Sequence, residues 1–210
     1  MMVLETVTGK LIDIENPDPN DIDIEDIAWG LSRIARFCGA TITPIPYNVA
    51  QHSLMVAEKV ERDLREVWGW ETAEANGAGV HTVLKALLHD ASEVYTGDVP
   101  SPVKKIESLR PVFKALENNI MGAIYTKMNL EQPNHFEESL IKTADKWSQK
   151  IEAHAFMPSR GKHWADMPEV TLEELQSFED PLPALESYRL FKLRFQELCE
   201  LLRSAETVAK

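Results

Sequence analysis

Apolar residues recur every three or four positions through most of this chain, and this spacing is the strongest constraint on its fold. Ile24, Ile27 and Leu31 show it in the first such stretch, where residues at this spacing share one face of a helix. The same spacing predicts further helices over about 47–68, 80–95 and 183–205, and after Pro111 and Pro133.

Strand signals are almost absent, apart from a short extended segment at 10–14 that fits one strand of a hairpin. An all-α bundle is therefore predicted. No composition shift or repeat divides the chain, so we expect a single domain, 1–210, with a core of about 20–155 and a C-terminal helical extension, 156–210.

Local signals refine the helix boundaries. Asp23 and Asp26 resemble an acidic capping box, and Gly39 is placed to end the first helix. Residues 75–79 are expected to form a linker. Residues 97–102 are expected to form a loop, because their two prolines disfavour a helix interior.

The charge balance excludes some classes of partner. Lys and Arg number 22 against 34 Asp and Glu, which gives a net charge of −12. Such a chain repels a phosphate polymer, so we expect no nucleic-acid partner, although a small phosphorylated substrate is compatible with a few local cations. No 18-residue apolar run and no secretory signal is present, and the two cysteines, Cys38 and Cys199, are far apart. We expect a cytoplasmic protein with no membrane partner.

Three inward-facing polar groups on different predicted helices suggest a metal site. His89 and Asp90 close an apolar run, where a buried carboxylate is costly unless a cation or a hydrogen-bonding group compensates it. His52 lies on the inward face of the second predicted helix, and Asp145 lies on the apolar face of a later one. Two imidazoles and two carboxylates suit Mn, Fe, Co or Zn better than Ca.

Each of these residues also has a structural explanation. A core histidine satisfied by backbone groups, or an aspartate paired with Lys or Arg, would fit any one of them alone. Glu93, one helical turn after Asp90, is placed for general acid or base chemistry or is a surface residue near a helix end. Asp98, in the proline-containing loop, could orient a reacting group or serve the turn itself.

Cations that could bind a phosphate lie on either side of this segment. Arg36 precedes Phe37 near the end of the first helix, and Lys104 follows the loop. Arg33 and Lys105 are neighbouring candidates that fit a solvated surface as well.

Taken in order, these residues resemble the HD-domain metal-dependent phosphohydrolase superfamily, which has a His on one helix, an adjacent His-Asp on the next and an Asp on a later one. The match resembles the 5′-deoxynucleotidase branch and looks especially like the phage-type deoxyadenosine triphosphate triphosphohydrolases. The resemblance covers roughly 9–151. It is carried by the runs 23–28 (DIEDIA), Arg36-Phe37, 49–53 (VAQHS) and 87–100 (LLHDASEVYTGDVP).

The resemblance implies an HD-domain helical bundle and a role for each matching position. It implies metal ligation by His52, His89, Asp90 and Asp145, catalytic roles for Glu93 and Asp98, and substrate contacts by Arg36, Phe37, Gln51 and Lys104. The cofactor would be a divalent ion, with Co, Mn, Zn and Mg as candidates.

The activity implied is hydrolysis of a deoxynucleotide at phosphorus, with dATP converted to deoxyadenosine and triphosphate as the first expectation and dADP and dAMP as further substrates. One alternative is a 5′-deoxynucleotidase acting on deoxynucleoside monophosphates, and another is alarmone hydrolysis. The non-enzyme alternative is a helical scaffold with a relic metal site. An exposed apolar stripe on the last helix, together with the oligomers usual in the family, suggests a homo-oligomer, dimer or hexamer. A phage origin would place the protein in the host cytoplasm, where it would control nucleotide pools.

Overall fold

The computed structural model describes residues 3–68, 77–176 and 178–208. These ranges contain one two-stranded antiparallel hairpin, β1 (Val3–Glu5) and β2 (Leu11–Asp13), in which Leu4 pairs with Ile12. They also contain nine α-helices: α1 (Ile24–Leu31), α2 (Val49–Trp68), α3 (Ala78–Leu87), α4 (Glu93–Thr96), α5 (Ser101–Lys104), α6 (Arg110–Lys127), α7 (His135–Phe156), α8 (Leu172–Leu175) and α9 (Ala184–Val208). The prediction of an all-α HD-domain bundle is confirmed.

Helix α2 is the centre of the bundle, because it packs against α3, α7 and α9. Its inward residues Val56 and Val60 are fully buried, as are Leu87 of α3 and Phe191 of α9. Burial of these apolar side chains drives the helices together, and the polar residues at the same depth are held in fixed positions by that packing. Among the described residues, no helix is long and apolar enough to cross a membrane.

The first helix begins as predicted but ends earlier. Asp23 caps α1 by accepting a hydrogen bond from the backbone amide of Glu25. Asp26 accepts hydrogen bonds from the amide and the hydroxyl of Thr8, at 2.9 and 2.8 Å, and so ties the hairpin to the helix. Helix α1 stops at Leu31. The prediction that Gly39 ends this helix is wrong, because Gly39 lies in a separate 3₁₀ turn at 36–39.

The predicted helix over 80–95 is interrupted. Helix α3 ends at Leu87, and the backbone then turns through 88–92 before α4 begins at Glu93. Within the turn, amides bond to carbonyls three residues back, as in the bond from Ala91 to Leu88. The His89-Asp90 pair therefore lies in a tight turn rather than inside a helix.

Two predicted loops are shorter in the structure. The residues at 97–100 are irregular, but Pro102 lies in the first turn of α5, where the missing N–H of a proline costs no hydrogen bond. The predicted linker at 75–79 lies partly outside the described residues. Gly77, with φ +67°, precedes α3 directly in a left-handed conformation that favours glycine.

The apolar stripe of the last helix packs inward. Phe191 and Leu198 are fully buried, and α9 contacts α1, α2 and α3. The expectation that this stripe is free for a partner copy is therefore wrong, because the bundle itself covers its central residues.

Candidate metal centre and active site

A short backbone pairing places Arg36 beside the start of α2. Ala35 and Asn48 form an antiparallel bridge, and the amide of Arg36 donates to the carbonyl of Tyr47 at 2.8 Å. Helix α2 begins at Val49, so His52 lies on its first turn. The guanidinium of Arg36 and the imidazole of His52 consequently face the same buried region.

Four predicted ligands converge in this region. Nε2 of His52 lies 3.2 Å from Oδ1 of Asp145 and 3.5 Å from Oδ2 of Asp90. The same Oδ2 lies 3.2 Å from Nε2 of His89. Ligand atoms of His52, His89 and Asp145 all lie within 4.8 Å of one another, a spacing at which one ion can be shared. The side chains come from α2, the 88–92 turn and α7.

The free ring nitrogens fit a metal. Nδ1 of His89 donates to the carbonyl of Ala86 at 2.8 Å, and Nδ1 of His52 lies 2.5 Å from a carboxylate oxygen of Glu152. Nε2 of each ring is buried and has no hydrogen-bond partner among the described residues. A bonded Nδ1 and a free Nε2 aimed at carboxylates are the usual arrangement of histidines that bind metals.

Asp145 is oriented by its own helix. The side-chain amide of Gln149, one turn later, donates to both carboxylate oxygens of Asp145 at 3.0 and 3.2 Å. Hydrogen bonds of this kind fix the direction in which a ligating carboxylate points.

Glu152 is a site residue that the sequence analysis missed. It lies on α7 seven residues after Asp145, two helical turns along the same face, and its side chain is 1% exposed. Its other carboxylate oxygen accepts from Nε of Arg36 at 3.0 Å. The available signal was a Glu on the inward face of a predicted helix, at helical spacing from a predicted ligand.

Opposite charges set the protonation of the cluster. Burial and Arg36 lower the pKa of His52, but Glu152 and Asp145 outweigh them and raise it to about 9. Burial raises the pKa of Asp90, but His89, His52 and Arg36 hold it well below its usual range. The cluster thus already contains ionised carboxylates, and a divalent cation would replace the proton on His52.

Glu93 lies at the rim of the cluster and is buried. Burial, with Asp90 and Asp98 nearby, raises the pKa of Glu93 to about 9. Its Oε1 lies 3.4 Å from Nζ of Lys104, and its Oε2 has no hydrogen-bond partner among the described residues. Burial likewise raises the pKa of Asp98, a shift that Arg36 opposes. A buried carboxyl whose pKa is raised in this way holds a proton that it can donate, and a nearby cation would be needed to favour its ionised form.

A cavity of about 210 Å³ opens between this rim and helix α6. Its wall includes His89, Asp90, Glu93 and Lys104 on one side and Glu117 of α6 on the other. Nζ of Lys104 lies 2.7 Å from Oε1 of Glu117. The cavity therefore joins the metal cluster, the candidate acid and a candidate phosphate-binding cation.

Arg36 and Phe37 form one edge of the site. Nη1 of Arg36 lies 3.7 Å from Oδ2 of Asp90, so the guanidinium faces the cluster. Phe37 has φ +56°, an uncommon conformation for a bulky residue, and its ring lies 5.5 Å from that of Trp164. Strained backbone of this kind often occurs at binding sites.

Gln51 is not placed with the other predicted substrate contacts. Its Nε2 donates to the carbonyl of Asp180 at 2.9 Å, and its Oε1 accepts from the amide of Leu182 at 3.0 Å. Both ends of the amide therefore hold the segment that leads into α9. Neighbouring positions on a helix diverge by about 100°, so Gln51 and His52 face different surroundings.

An all-α bundle in which two imidazoles and two carboxylates converge is the arrangement expected of an HD-type phosphohydrolase, and the family match shows an enzyme of this kind. Comparison of the chain with known protein families narrows the class of phosphohydrolase. A family model described as 5′-deoxynucleotidase YfbR-like matches residues 28–190, and the chain belongs to this family. Enzymes of the family are metal-dependent.

One of the three relatives described next is a 5′-deoxynucleotidase, and the other two are uncharacterized proteins. The chain is 30% identical over 165 residues to the 5′-deoxynucleotidase YfbR of Salmonella typhi, a match that covers 76% of this chain and 73% of the relative. It is 36% identical over 150 residues to an uncharacterized protein of Rhodobacter capsulatus, covering 70% and 69%. It is 28% identical over 205 residues to the uncharacterized protein YfdR of Escherichia coli, covering 98% and 100%. These matches favour the 5′-deoxynucleotidase alternative and give no support to the phage triphosphohydrolase branch that the sequence motifs suggested.

Proposed function

We propose that this chain is a metal-dependent 5′-deoxynucleotidase that converts deoxynucleoside 5′-monophosphates to deoxynucleosides and phosphate. The observation that carries the proposal is the convergence of His52, His89, Asp90 and Asp145, with both Nε2 atoms free, beside a cavity that also contains Glu93. The family match supports deoxynucleotides as the substrate class.

These four side chains would hold the metal ion. Mixed nitrogen and oxygen ligands suit Mn, Co or Zn, and the two carboxylates keep Mg as a further candidate. When bound, the ion would supply charge neutralisation and Lewis-acid polarisation at the phosphate.

The other residues would move the protons and balance the charge. Glu93, whose ionised form a bound divalent ion would favour, would take a proton from the attacking water as the new bond to phosphorus forms. The bond from phosphorus to the 5′ oxygen breaks, and the leaving oxygen would take a proton from Asp98, or from solvent water if Asp98 fixes the sugar instead. Arg36 and Lys104 would stabilise the negative charge on the phosphoryl oxygens.

The aromatic edge at Phe37 would select the sugar. A 2′-hydroxyl placed against an apolar wall loses its hydrogen bonds to water and gains none, which disfavours ribonucleotides. Phe37, which the sequence predicts to contact base or sugar, is therefore the candidate source of a preference for deoxyribose.

A substrate panel tests the proposal. The protein is incubated with dNMPs, rNMPs and dNTPs in the presence of Co²⁺, Mn²⁺, Zn²⁺ or Mg²⁺, and the released products are separated by ion exchange. Phosphate released from dNMPs, with rNMPs turned over far more slowly, is the expected result. Triphosphate released from dATP would instead support the dATP triphosphohydrolase expectation. The absence of turnover with every metal would support the scaffold alternative.

Self-association belongs to the same proposal. We expect a homo-oligomer, dimer or hexamer, as is usual in the family. Light scattering coupled to size-exclusion chromatography measures the oligomeric state directly.

A further inference from the structure

One buried carboxylate connects two parts of the candidate site. Oε1 of Glu152 lies 2.5 Å from Nδ1 of His52, and Oε2 accepts from Nε of Arg36 at 3.0 Å. The side chains of the three residues are between 0% and 7% exposed. The sequence separations are 100 and 116 residues, so tertiary packing alone brings them together.

Burial of the Glu152 carboxylate would by itself destabilise the fold, so its position needs an explanation. A carboxylate taken out of water is destabilising unless hydrogen bonds and opposite charges compensate it. Both donors that compensate Glu152 face the metal cluster: Nε2 of His52 is the free atom near Asp145, and Nη1 of Arg36 lies 3.7 Å from Asp90.

A second buried carboxylate on the same helix shows the contrast. Glu137, at the start of α7, accepts two hydrogen bonds from Lys85 at 2.8 Å and closes the capping box with Asn134. Those partners tie α7 to α3 and cap a helix. Glu152 caps no helix. Its two hydrogen-bonded partners, His52 of α2 and Arg36 of the 36–39 turn, both face the metal cluster, and the buried Tyr47 hydroxyl is a further neighbour.

We propose that Glu152 is a positioning residue for the metal centre. By accepting a hydrogen bond from Nδ1–H it fixes the tautomer and the ring orientation of His52, so that Nε2 is directed at the carboxylates with which it would share an ion. Its second oxygen holds the guanidinium of Arg36 toward the same cluster. The inference rests on the proposed function, because it requires that the cluster holds a metal.

Metal affinity tests this role without measuring turnover. Dissociation constants for Zn²⁺ and Co²⁺ are obtained by competition with a chromophoric chelator for the wild type, E152Q, E137Q and D145N. Substituting a group that orients a metal ligand typically weakens binding about 10-fold to 100-fold, and this is expected for E152Q. A glutamine can still accept from Nδ1, but it is neutral and cannot bond both donors as a carboxylate does. In E152Q, the weaker binding should be accompanied by a shift in the absorption bands of bound Co²⁺.

Glu137 provides the matched control. E137Q is expected to lower the melting temperature and leave metal affinity unchanged. D145N is expected to weaken binding more than E152Q, because it alters a ligand directly. If E137Q and E152Q weaken binding equally, the effect is a general loss of stability and the positioning role is overturned.

The remaining outcomes separate the two proposals. Wild-type affinity in E152Q together with weak binding in D145N overturns the role of Glu152 and leaves the metal site intact. Wild-type affinity in D145N overturns the metal site and the proposed function with it. Should E152Q not fold, ¹⁵N NMR of the Zn²⁺-loaded wild type decides, since the inference requires His52 to be protonated at Nδ1 and not ligated there.

Discussion

Nε2 of His52 lies 3.2 Å from Oδ1 of Asp145, on two helices, α2 and α7, that pack against each other at the centre of the bundle. Neither side chain needs the other to complete a helix cap or a turn. Without a metal, a proton on His52 compensates the neighbouring carboxylates, and a divalent cation shared between the two side chains would take over that role.

Removal of Asp90 tests whether the cluster serves chemistry or stability. Asp90→Ala is expected to abolish metal binding and turnover while the fold is retained, because Asp90 lies in a turn and is partly exposed. Metal content by mass spectrometry and far-UV circular dichroism measure the two effects. An active Asp90→Ala protein, or one that unfolds, would contradict the assignment and favour the scaffold alternative.

Glu93 is expected to affect rate rather than metal binding. Glu93→Gln keeps the size of the side chain but cannot accept a proton, so kcat should fall by about 10²-fold to 10⁴-fold, the usual contribution of a general acid or base. Metal content should match the wild type. Full kcat in this variant would show that another group carries the proton.

The raised pKa of Glu93 also predicts how stability depends on pH. In the metal-free protein this carboxyl stays protonated up to about pH 9, whereas in the unfolded chain it ionises near its ordinary value. The folded state therefore binds more protons between these values, and its stability falls as pH rises through that window. Urea titrations with a chelator present, at pH 6 and pH 9, should show a smaller loss for Glu93→Gln than for the wild type. Equal losses would contradict the burial of this group.

Gln51 is expected to be structural. Gln51→Ala removes two hydrogen bonds to the backbone at Asp180 and Leu182 and should lower the free energy of unfolding by about 1–3 kcal/mol. The KM for dNMPs should change little. A large rise in KM with unchanged stability would restore the original prediction that Gln51 contacts substrate.

Close packing of Gly30 against α4 holds Glu93 in place. A Cβ at Gly30 would lie 2.7 Å from Cγ1 of Val94, a stiff side chain, so Gly30→Ala should cost about 1–3 kcal/mol and displace the start of α4. A fall in kcat is expected, with metal content preserved.

Gly122 is the matched control for that substitution. It lies inside α6, and an added Cβ would meet only the end of the Gln132 side chain, at 3.8 Å. Gly122→Ala should therefore stabilise the protein by about 0.5–1 kcal/mol without altering kcat. Thermal unfolding and steady-state kinetics on both variants check the pair, and equal kinetic effects would rule out a specific role for the Gly30 contact.

Helical periodicity and a short motif were sufficient to predict the class of fold and the candidate ligands. The spacing of apolar residues places both bounds of α2 and the start of α7 within a few residues of those observed, because each helix encodes its buried face locally. Inward polar residues on those faces identified His52 and Asp145 as groups that need a partner.

Tertiary packing decided what each polar residue contacts. Periodicity shows that Gln51 and Glu152 lie on helices, but only the docking of α7 on α2 brings Glu152 to His52, and only the path of the chain before α9 engages Gln51. The break at 88–92 is equally a product of packing, since no proline or glycine marks it. The sequence by itself determined which residues are helical and which faces are buried, because those preferences act over a few residues. The partners of buried polar groups were decided by the fold, because they come from segments a hundred residues away.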